Sequence, residues 1–95
     1  MKKLITTISA DIAMGAFDAE GERRVRAWFD RLENWDADEA VRKMSVPLET
    51  FPGVYVLRPP TDLRIFFRID DDTVTILEIT NKSVLLEFGR MVGVN

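Results

Sequence analysis

Residues 54–80 read VYVLRPPTDLRIFFRIDDDTVTILEIT, and this stretch decides the fold of the chain. It is rich in β-branched and aromatic residues, which favour strands. Two turn signals interrupt it, Pro59-Pro60 and Asp70-Asp71-Asp72. The stretch therefore predicts three consecutive antiparallel strands, and the rest of the chain has to cover the sheet that they form.

A two-residue turn at Asp71-Asp72 fixes the predicted register between the second and third strands. The predicted opposed pairs are Ile69 with Val74, Phe67 with Ile76, Phe66 with Leu77, and Arg64 with Ile79. One face is then an apolar core face, made of Leu63, Ile65, Phe67, Ile69, Val74 and Ile76. The other face mixes apolar and basic side chains, namely Arg64, Phe66, Arg68, Leu77 and Ile79. Since arginines are rarely buried without partners, this second face is predicted to be partly open, and function is expected there.

The segments outside this stretch predict the elements that cover the sheet. Residues 3–8 alternate as a short strand, and Ser9 or Asp11 caps a helical turn that ends before Gly15. Apolar residues at helical spacing predict a main helix over about residues 19–35. Asp36 and Glu39 start a brief second helix, and residues 84–91 have the spacing of a short C-terminal helix.

Together these segments predict an α+β fold. The sheet is antiparallel with about four strands, the N-terminal strand plus a three-strand meander. An N-terminal helical region packs on one face, and a short C-terminal helix follows the sheet. With 95 residues the chain supports one core, so residues 1–95 are predicted to form a single domain.

The composition excludes several kinds of site. The chain has no cysteine, which rules out disulfides and thiolate metal sites, and no histidine, the side chain most often used for acid–base chemistry near neutral pH. Any catalysis therefore uses Arg, Lys, Tyr, Asp or Glu. A net charge of -3 argues against a protein whose whole surface grips nucleic acid, but it is compatible with a local basic groove. No apolar run is long enough to span a membrane and no signal sequence is recognisable, so a cytoplasmic protein is predicted.

A series of short motifs carries a family resemblance. Gly53 precedes a strand that reads Tyr55-x-Leu57-Arg58, a turn follows, and Arg64 then comes between apolar residues. A hairpin, a hydrophobic strand and a basic residue, Lys82, complete the series. In this order and spacing the chain resembles the RelE/ParE superfamily of toxins from bacterial type II toxin–antitoxin systems, over nearly its whole length.

The resemblance to RelE-like members implies a ribosome-dependent endonuclease that cleaves messenger RNA by attack of a ribose 2′-hydroxyl on the adjacent phosphate. It implies no cofactor and no metal. Arg64 matches the strand arginine of the family and is implied to stabilise charge on the phosphate, while Lys82 is implied to act as leaving-group acid or phosphate contact. Arg58, Arg68 and Phe88 are the implied substrate-binding residues. The implied partners are a cognate antitoxin, the ribosome and messenger RNA, and no membrane.

Two alternatives stay open, because the chain departs from the family pattern. Phe88 stands where active members often carry tyrosine or histidine, and phenylalanine stacks on a base but cannot move a proton. The single tyrosine, Tyr55, lies on a strand whose exposed side the sequence does not fix. These departures and the acidic net charge favour a ParE-like, non-enzymatic inhibitor of DNA gyrase, or a catalytically inert homologue kept for antitoxin binding.

Each candidate residue also has a purely structural interpretation. Arg64 and Arg68 are compatible with surface arginines whose stems lie along a half-covered sheet. Arg58 is placed to form an ion pair with Asp62 across the turn. The three consecutive aspartates 70–72 are more typical of a solvated turn than of a cation site.

Overall fold

A mixed five-stranded sheet is the framework of the protein. The structure, a computed structural model, describes residues 1–81. Their elements are β1 (Lys3–Thr6), α1 (Ile8–Met14), α2 (Ala19–Glu33), α3 (Glu39–Lys43), β2 (Ser45–Pro47), β3 (Val54–Leu57), β4 (Arg64–Ile69) and β5 (Thr73–Thr80). The strand order is β1-β5-β4-β3-β2. The N-terminal strand joins the sheet as predicted, but it runs parallel to β5, so the sheet is mixed and not wholly antiparallel. The predicted α+β class and the three-strand meander are confirmed.

The sheet has one strand more than the sequence predicts, because residues 45–47 pair with β3. This segment contains Pro47, which is typical of a loop and was expected to lie in one. As β2 is an edge strand, however, the missing N–H of proline costs no hydrogen bond with a neighbour. The predicted C-terminal helix lies outside the described residues.

The hairpin between β4 and β5 begins in the predicted register and then shifts. The pairs of Ile69 with Val74 and of Phe67 with Ile76 are confirmed. The next two predicted pairs are wrong, since the observed ones are Phe66 with Glu78 and Arg64 with Thr80. A β-bulge causes the change, because Leu77 is an extra residue in β5 with no counterpart in β4. Ile79 consequently moves from the predicted outer face to the core face, opposite Ile65.

Helices α1 and α2 cover the core face. Both begin at a side chain that accepts a backbone N–H: Thr7 from Ala10 at 3.1 Å, and Asp18 from Gly21 at 2.7 Å. The predicted caps of the first helix, Ser9 and Asp11, are therefore wrong, and α1 begins earlier than expected. The main helix is confirmed. Buried residues of the three helices, of the core face of the sheet and of the β3–β4 loop form one core, which contains Ala10, Met14, Val25, Phe29, Leu32, Val41, Leu57, Leu63, Ile65, Phe67, Val74, Ile76 and Ile79.

An ion pair joins α2 to α3. Arg31 donates from Nε and Nη2 to the two carboxylate oxygens of Asp38, at 2.8 and 2.9 Å. Asp38, rather than the predicted Asp36, also caps α3 by accepting the N–H of Val41 at 2.9 Å. The hydrogen bonds from Arg31 and then from Val41 lower the pKa of Asp38 to about 2.

A buried lysine ties the start of the chain to the β4–β5 turn. Lys2 is only 6% exposed. Its Nζ donates to the carbonyls of Asp70 and Asp71 at 2.7 and 2.8 Å and lies 3.6 Å from a carboxylate oxygen of Asp36. The aspartates of the turn thus hold an ammonium group mainly through backbone oxygens. No helix within residues 1–81 is long and apolar enough to cross a membrane.

Candidate functional site: the open face of the sheet

The open face is the side of the sheet that lies opposite the core residues and α2. Helix α1 begins at the edge of β5, where Thr7 and Ser9 donate hydrogen bonds to Leu77 and Glu78. Along β4 it carries Arg64, Phe66 and Arg68, which alternate with the buried Ile65 and Phe67. Arg68 is exposed, whereas Arg64 and Phe66 are half-buried. The predicted partly open, basic face is therefore present.

Arg58 and Arg64 lie at the same end of this face. Leu57 and Ile65 are partners on the core face, so the residues next to them, Arg58 and Arg64, project toward the other side. Arg58 is exposed, and its backbone N–H donates to the carbonyl of Met44 at 2.8 Å. The alternative ion pair of Arg58 with Asp62, both described residues, is not formed in the structure.

The guanidinium of Arg64 is held by the β3–β4 turn. Its Nη1 donates to the carbonyls of Leu63 and Thr61 at 2.6 and 2.7 Å, with that of Pro59 at 3.5 Å. These acceptors all contact one nitrogen of a group that has five N–H donors on three nitrogens. The remaining edge of the guanidinium, Nε and Nη2, has no acceptor among residues 1–81. Arg64 is therefore oriented by the turn and retains donors for an anion.

Arg68 lies on the same face but at a distance from the other two arginines. It is four residues beyond Arg64, which in a strand corresponds to about 13 Å. Its partners in the sheet are Val54 and Thr75. Arg58 and Arg64 thus lie at one end of the open face and Arg68 lies farther along β4, with Phe66 between Arg64 and Arg68.

Tyr55 is on the opposite side of the sheet from the arginines. It pairs with Phe67 on the core face, and their rings are stacked with centroids 5.6 Å apart. Trp35 covers both rings, at 5.2 Å from Tyr55 and 5.6 Å from Phe67. As this is the only tyrosine in the sequence, no phenolic hydroxyl belongs to the open face.

A carboxylate on the open face was missed by the sequence analysis. Glu78 pairs with Phe66 and is half-buried. Its Oε2 accepts a hydrogen bond from the hydroxyl of Ser9 at 2.5 Å, and its Oε1 accepts the N–H of Ile79 at 3.0 Å. Strict alternation would have placed Glu78 among core residues. The available signal was the spacing of Ile76 and Ile79, which are three residues apart where a regular strand repeats every two.

Two of the candidate residues, Lys82 and Phe88, lie outside the described residues. In sequence Lys82 comes two positions after Thr80, which pairs with Arg64. Within residues 1–81 there is no group of three or more His, Cys, Asp or Glu side chains placed to hold a metal ion. Within residues 1–81, the arginines of the open face are therefore accompanied by the carboxylate of Glu78, the hydroxyls of Thr75 and Thr80, and the ring of Phe66.

The fold matches that of known toxin–antitoxin proteins. No protein-family model and no curated protein sequence matches the chain. Among solved structures, a chain of the intact RelBE toxin–antitoxin complex of E. coli matches with a TM-score of 0.67 and 12% identity. The match covers 85% of this chain and 96% of the matched chain. The RelB–RelE complex of Methanococcus jannaschii matches with a TM-score of 0.64 and 9% identity, over 88% and 96%.

The DinJ–YafQ complex of E. coli matches with a TM-score of 0.63 and 14% identity, over 90% of this chain and 98% of that one. All three similarities span nearly the full length of both chains. Identities this low show the fold alone. The chain has the fold of RelE-type toxins, which confirms the resemblance at that level.

Proposed function

We propose that this protein is a RelE-like toxin, a metal-independent endonuclease that cleaves messenger RNA on the ribosome and is neutralised by a cognate antitoxin. The proposal includes a single domain over residues 1–95 and a cytoplasmic location. The observation that carries it is the pair Arg58 and Arg64, which lie at the same end of the open face on a fold shared with RelE-type toxins.

The arginines suit a phosphodiester substrate. Cleavage by a ribose 2′-hydroxyl builds negative charge on the phosphate, and preorganised cations stabilise that charge. Arg64 meets this need because its turn fixes one nitrogen, while Nε and Nη2 have no acceptor among residues 1–81 and can bind two phosphate oxygens. Arg58 positions the RNA backbone beside it, and Arg68 binds the strand farther along β4. Lys82 acts on the leaving oxygen or contacts the phosphate, and Phe88 stacks on a base.

An antitoxin partner is supported by two observations. The three matched structures described above are complexes of two proteins, and two of them are toxin–antitoxin complexes by name. The surface also exposes large apolar side chains on α1, with Ile8 and Ile12 at 79% and 72% exposure and one helical turn apart. Apolar residues this exposed on one helix face favour a surface that a partner protein covers.

A second candidate function is non-enzymatic inhibition of DNA gyrase. The position of Tyr55 in the aromatic cluster with Trp35 and Phe67 favours it, since no tyrosine is left to move a proton at the arginines. The net charge of -3 also gives the protein less affinity for the ribosome than a basic chain would have. A catalytically inert homologue that only binds the antitoxin is a further alternative without enzymatic activity.

Primer extension on a defined message in a cell-free translation reaction tests the proposal. We expect cuts at ribosome-occupied codons with the wild type and their loss with Arg64→Ala. Arg24→Ala is the matched control, because Arg24 is exposed on α2 and pairs only with Glu20 within residues 1–81. An uncut message at high protein concentration would exclude the endonuclease, and inhibition of gyrase supercoiling by the same preparation would then support the second function.

A further inference from the structure

The bulge in β5 gives the open face a carboxylate next to Arg64. In a regular strand Glu78 would lie on the same face as Ile76, which is the core face. Because the bulge adds Leu77 to β5, Glu78 instead lies opposite Phe66, and Arg64 lies opposite Thr80, two residues further along β5. Arg64 and Glu78 are thus diagonal neighbours, a relation that typically separates the Cβ atoms by about 7 Å.

Separate hydrogen bonds hold these two opposite charges. Arg64 donates to carbonyls of the β3–β4 turn, while the Glu78 carboxylate accepts from Ser9 and from the N–H of Ile79. No ion pair joins Arg64 and Glu78, both described residues. The cation and the carboxylate therefore do not neutralise each other in the structure. β-Bulges that redirect a side chain are common beside active sites.

We infer that Glu78 is the general base of this site, an inference that rests on the endonuclease proposed above. Glu78 takes the proton of the ribose 2′-hydroxyl as the 2′-oxygen bonds to the adjacent phosphorus. The bond between phosphorus and the 5′-oxygen breaks, which leaves a 2′,3′-cyclic phosphate on one fragment. The 5′-oxygen leaves with a proton from water, and the hydroxide so formed takes the proton back from Glu78, so charge and protons balance.

This role answers the absence of histidine and of an available tyrosine. Among the remaining side chains that accept protons, the carboxylates are the ones ionised at neutral pH. Glu78 is the carboxylate that the described sheet presents on the open face next to Arg64. Ser9, at the start of α1, is the positioning residue that orients it.

The competing interpretation is that Glu78 only attaches β5 to α1 through Ser9. A structural role and a chemical role predict different results for Glu78→Gln. Glutamine has nearly the same shape, and its carbonyl oxygen still accepts one hydrogen bond, but the amide does not accept a proton as a base. Loss of a tether changes stability and substrate binding, whereas loss of a base changes the rate of the chemical step.

The test measures single-turnover cleavage on programmed ribosomes with wild type, Glu78→Gln, Arg64→Ala and a matched control, Glu49→Gln, at an exposed carboxylate in the β2–β3 loop. Loss of a general base slows cleavage by about 100-fold or more. We expect this loss for Glu78→Gln, with unchanged affinity for a message carrying a 2′-deoxynucleotide at the cut site. We also expect formate to restore part of the activity of Glu78→Ala.

Each other outcome overturns the inference in a recognisable way. Glu78→Gln that cleaves at the wild-type rate, while Arg64→Ala does not cleave, rejects Glu78 as the base and leaves the endonuclease intact. Glu78→Gln that loses affinity for the 2′-deoxy message together with thermal stability shows the structural role. A wild type that cuts nothing overturns the endonuclease and the base together.

Discussion

The shifted register of β5 makes a quantitative prediction about two neighbouring residues. Ile79 is 4% exposed on the core face, whereas Leu77, the extra residue of the bulge, is half-buried. Ile79→Ala removes three carbons, which corresponds to about 2.4 kcal/mol of transfer free energy. The cavity that remains raises the expected loss of unfolding free energy to about 2.5–4 kcal/mol. Leu77→Ala removes as many carbons from a site half in water, and we expect about 1 kcal/mol.

Urea denaturation followed by tryptophan fluorescence and far-UV circular dichroism measures both losses. A chain of 95 residues is expected to have about 5–14 kcal/mol of stability, so Ile79→Ala should still fold. Its melting temperature should fall by about 10 °C or more. Equal losses for the two variants, or a larger loss for Leu77→Ala, would refute the bulge and restore the regular register. That result would also remove Glu78 from the open face.

Three further predictions concern stability. The pKa of Asp38 is lowered to about 2 in the folded protein, so the ionised carboxylate adds to the free energy of unfolding fully above about pH 4, and this stabilisation is lost as the pH falls toward 2. In Asp38→Asn the free energy of unfolding should therefore change less between about pH 4 and about pH 2. Lys2→Ala leaves the carbonyls of Asp70 and Asp71 without their donor, so the free energy of unfolding should fall by about 1–3 kcal/mol. Lys3 is exposed, and Lys3→Ala should leave the free energy of unfolding nearly unchanged in the same urea titration. Gly53 has a φ of 80°, a conformation that asparagine tolerates and valine does not, so Gly53→Val should lower the melting temperature more than Gly53→Asn. Equal effects would show that this conformation carries no strain.

The sequence predicted much of the fold because its signals are local and periodic. The run of β-branched and aromatic residues, with aspartates at the turn, was sufficient for the meander and for the first half of the β4–β5 register. The bulge escaped detection because alternation assumes one residue per position, and only the spacing of Ile76 and Ile79 reports the extra one. The sequence did not predict β2, because Pro47 is typical of loops. Proline is nevertheless tolerated in an edge strand, where its missing N–H costs no hydrogen bond with a neighbouring strand.

The candidate site was predictable in its cations and not in its arrangement. Arg64 and Arg68 were assigned to the correct face because their positions alternate with the buried residues of β4. The place of Tyr55 depends on pairing with Phe67 and on cover by Trp35, contacts between distant parts of the chain. Glu78 depends on the bulge. Contacts between distant parts of the chain therefore determine which side chains lie together in the candidate site, whereas local sequence patterns identify only the candidate side chains.

The position of β5 in the sheet has a consequence for how the protein is made. β5 lies between β1 and β4, so β1, the earliest of the five described strands, has no partner in the sheet until β5 has been synthesised. Lys3 pairs with Thr73 and Thr6 with Ile76, and such distant contacts form late because chain closure is costly in entropy. A nascent chain therefore keeps β1 unpaired while the residues between β1 and β5 are being synthesised. The sheet, and with it the arrangement of Arg64 and Glu78, is completed only after β5 has been made.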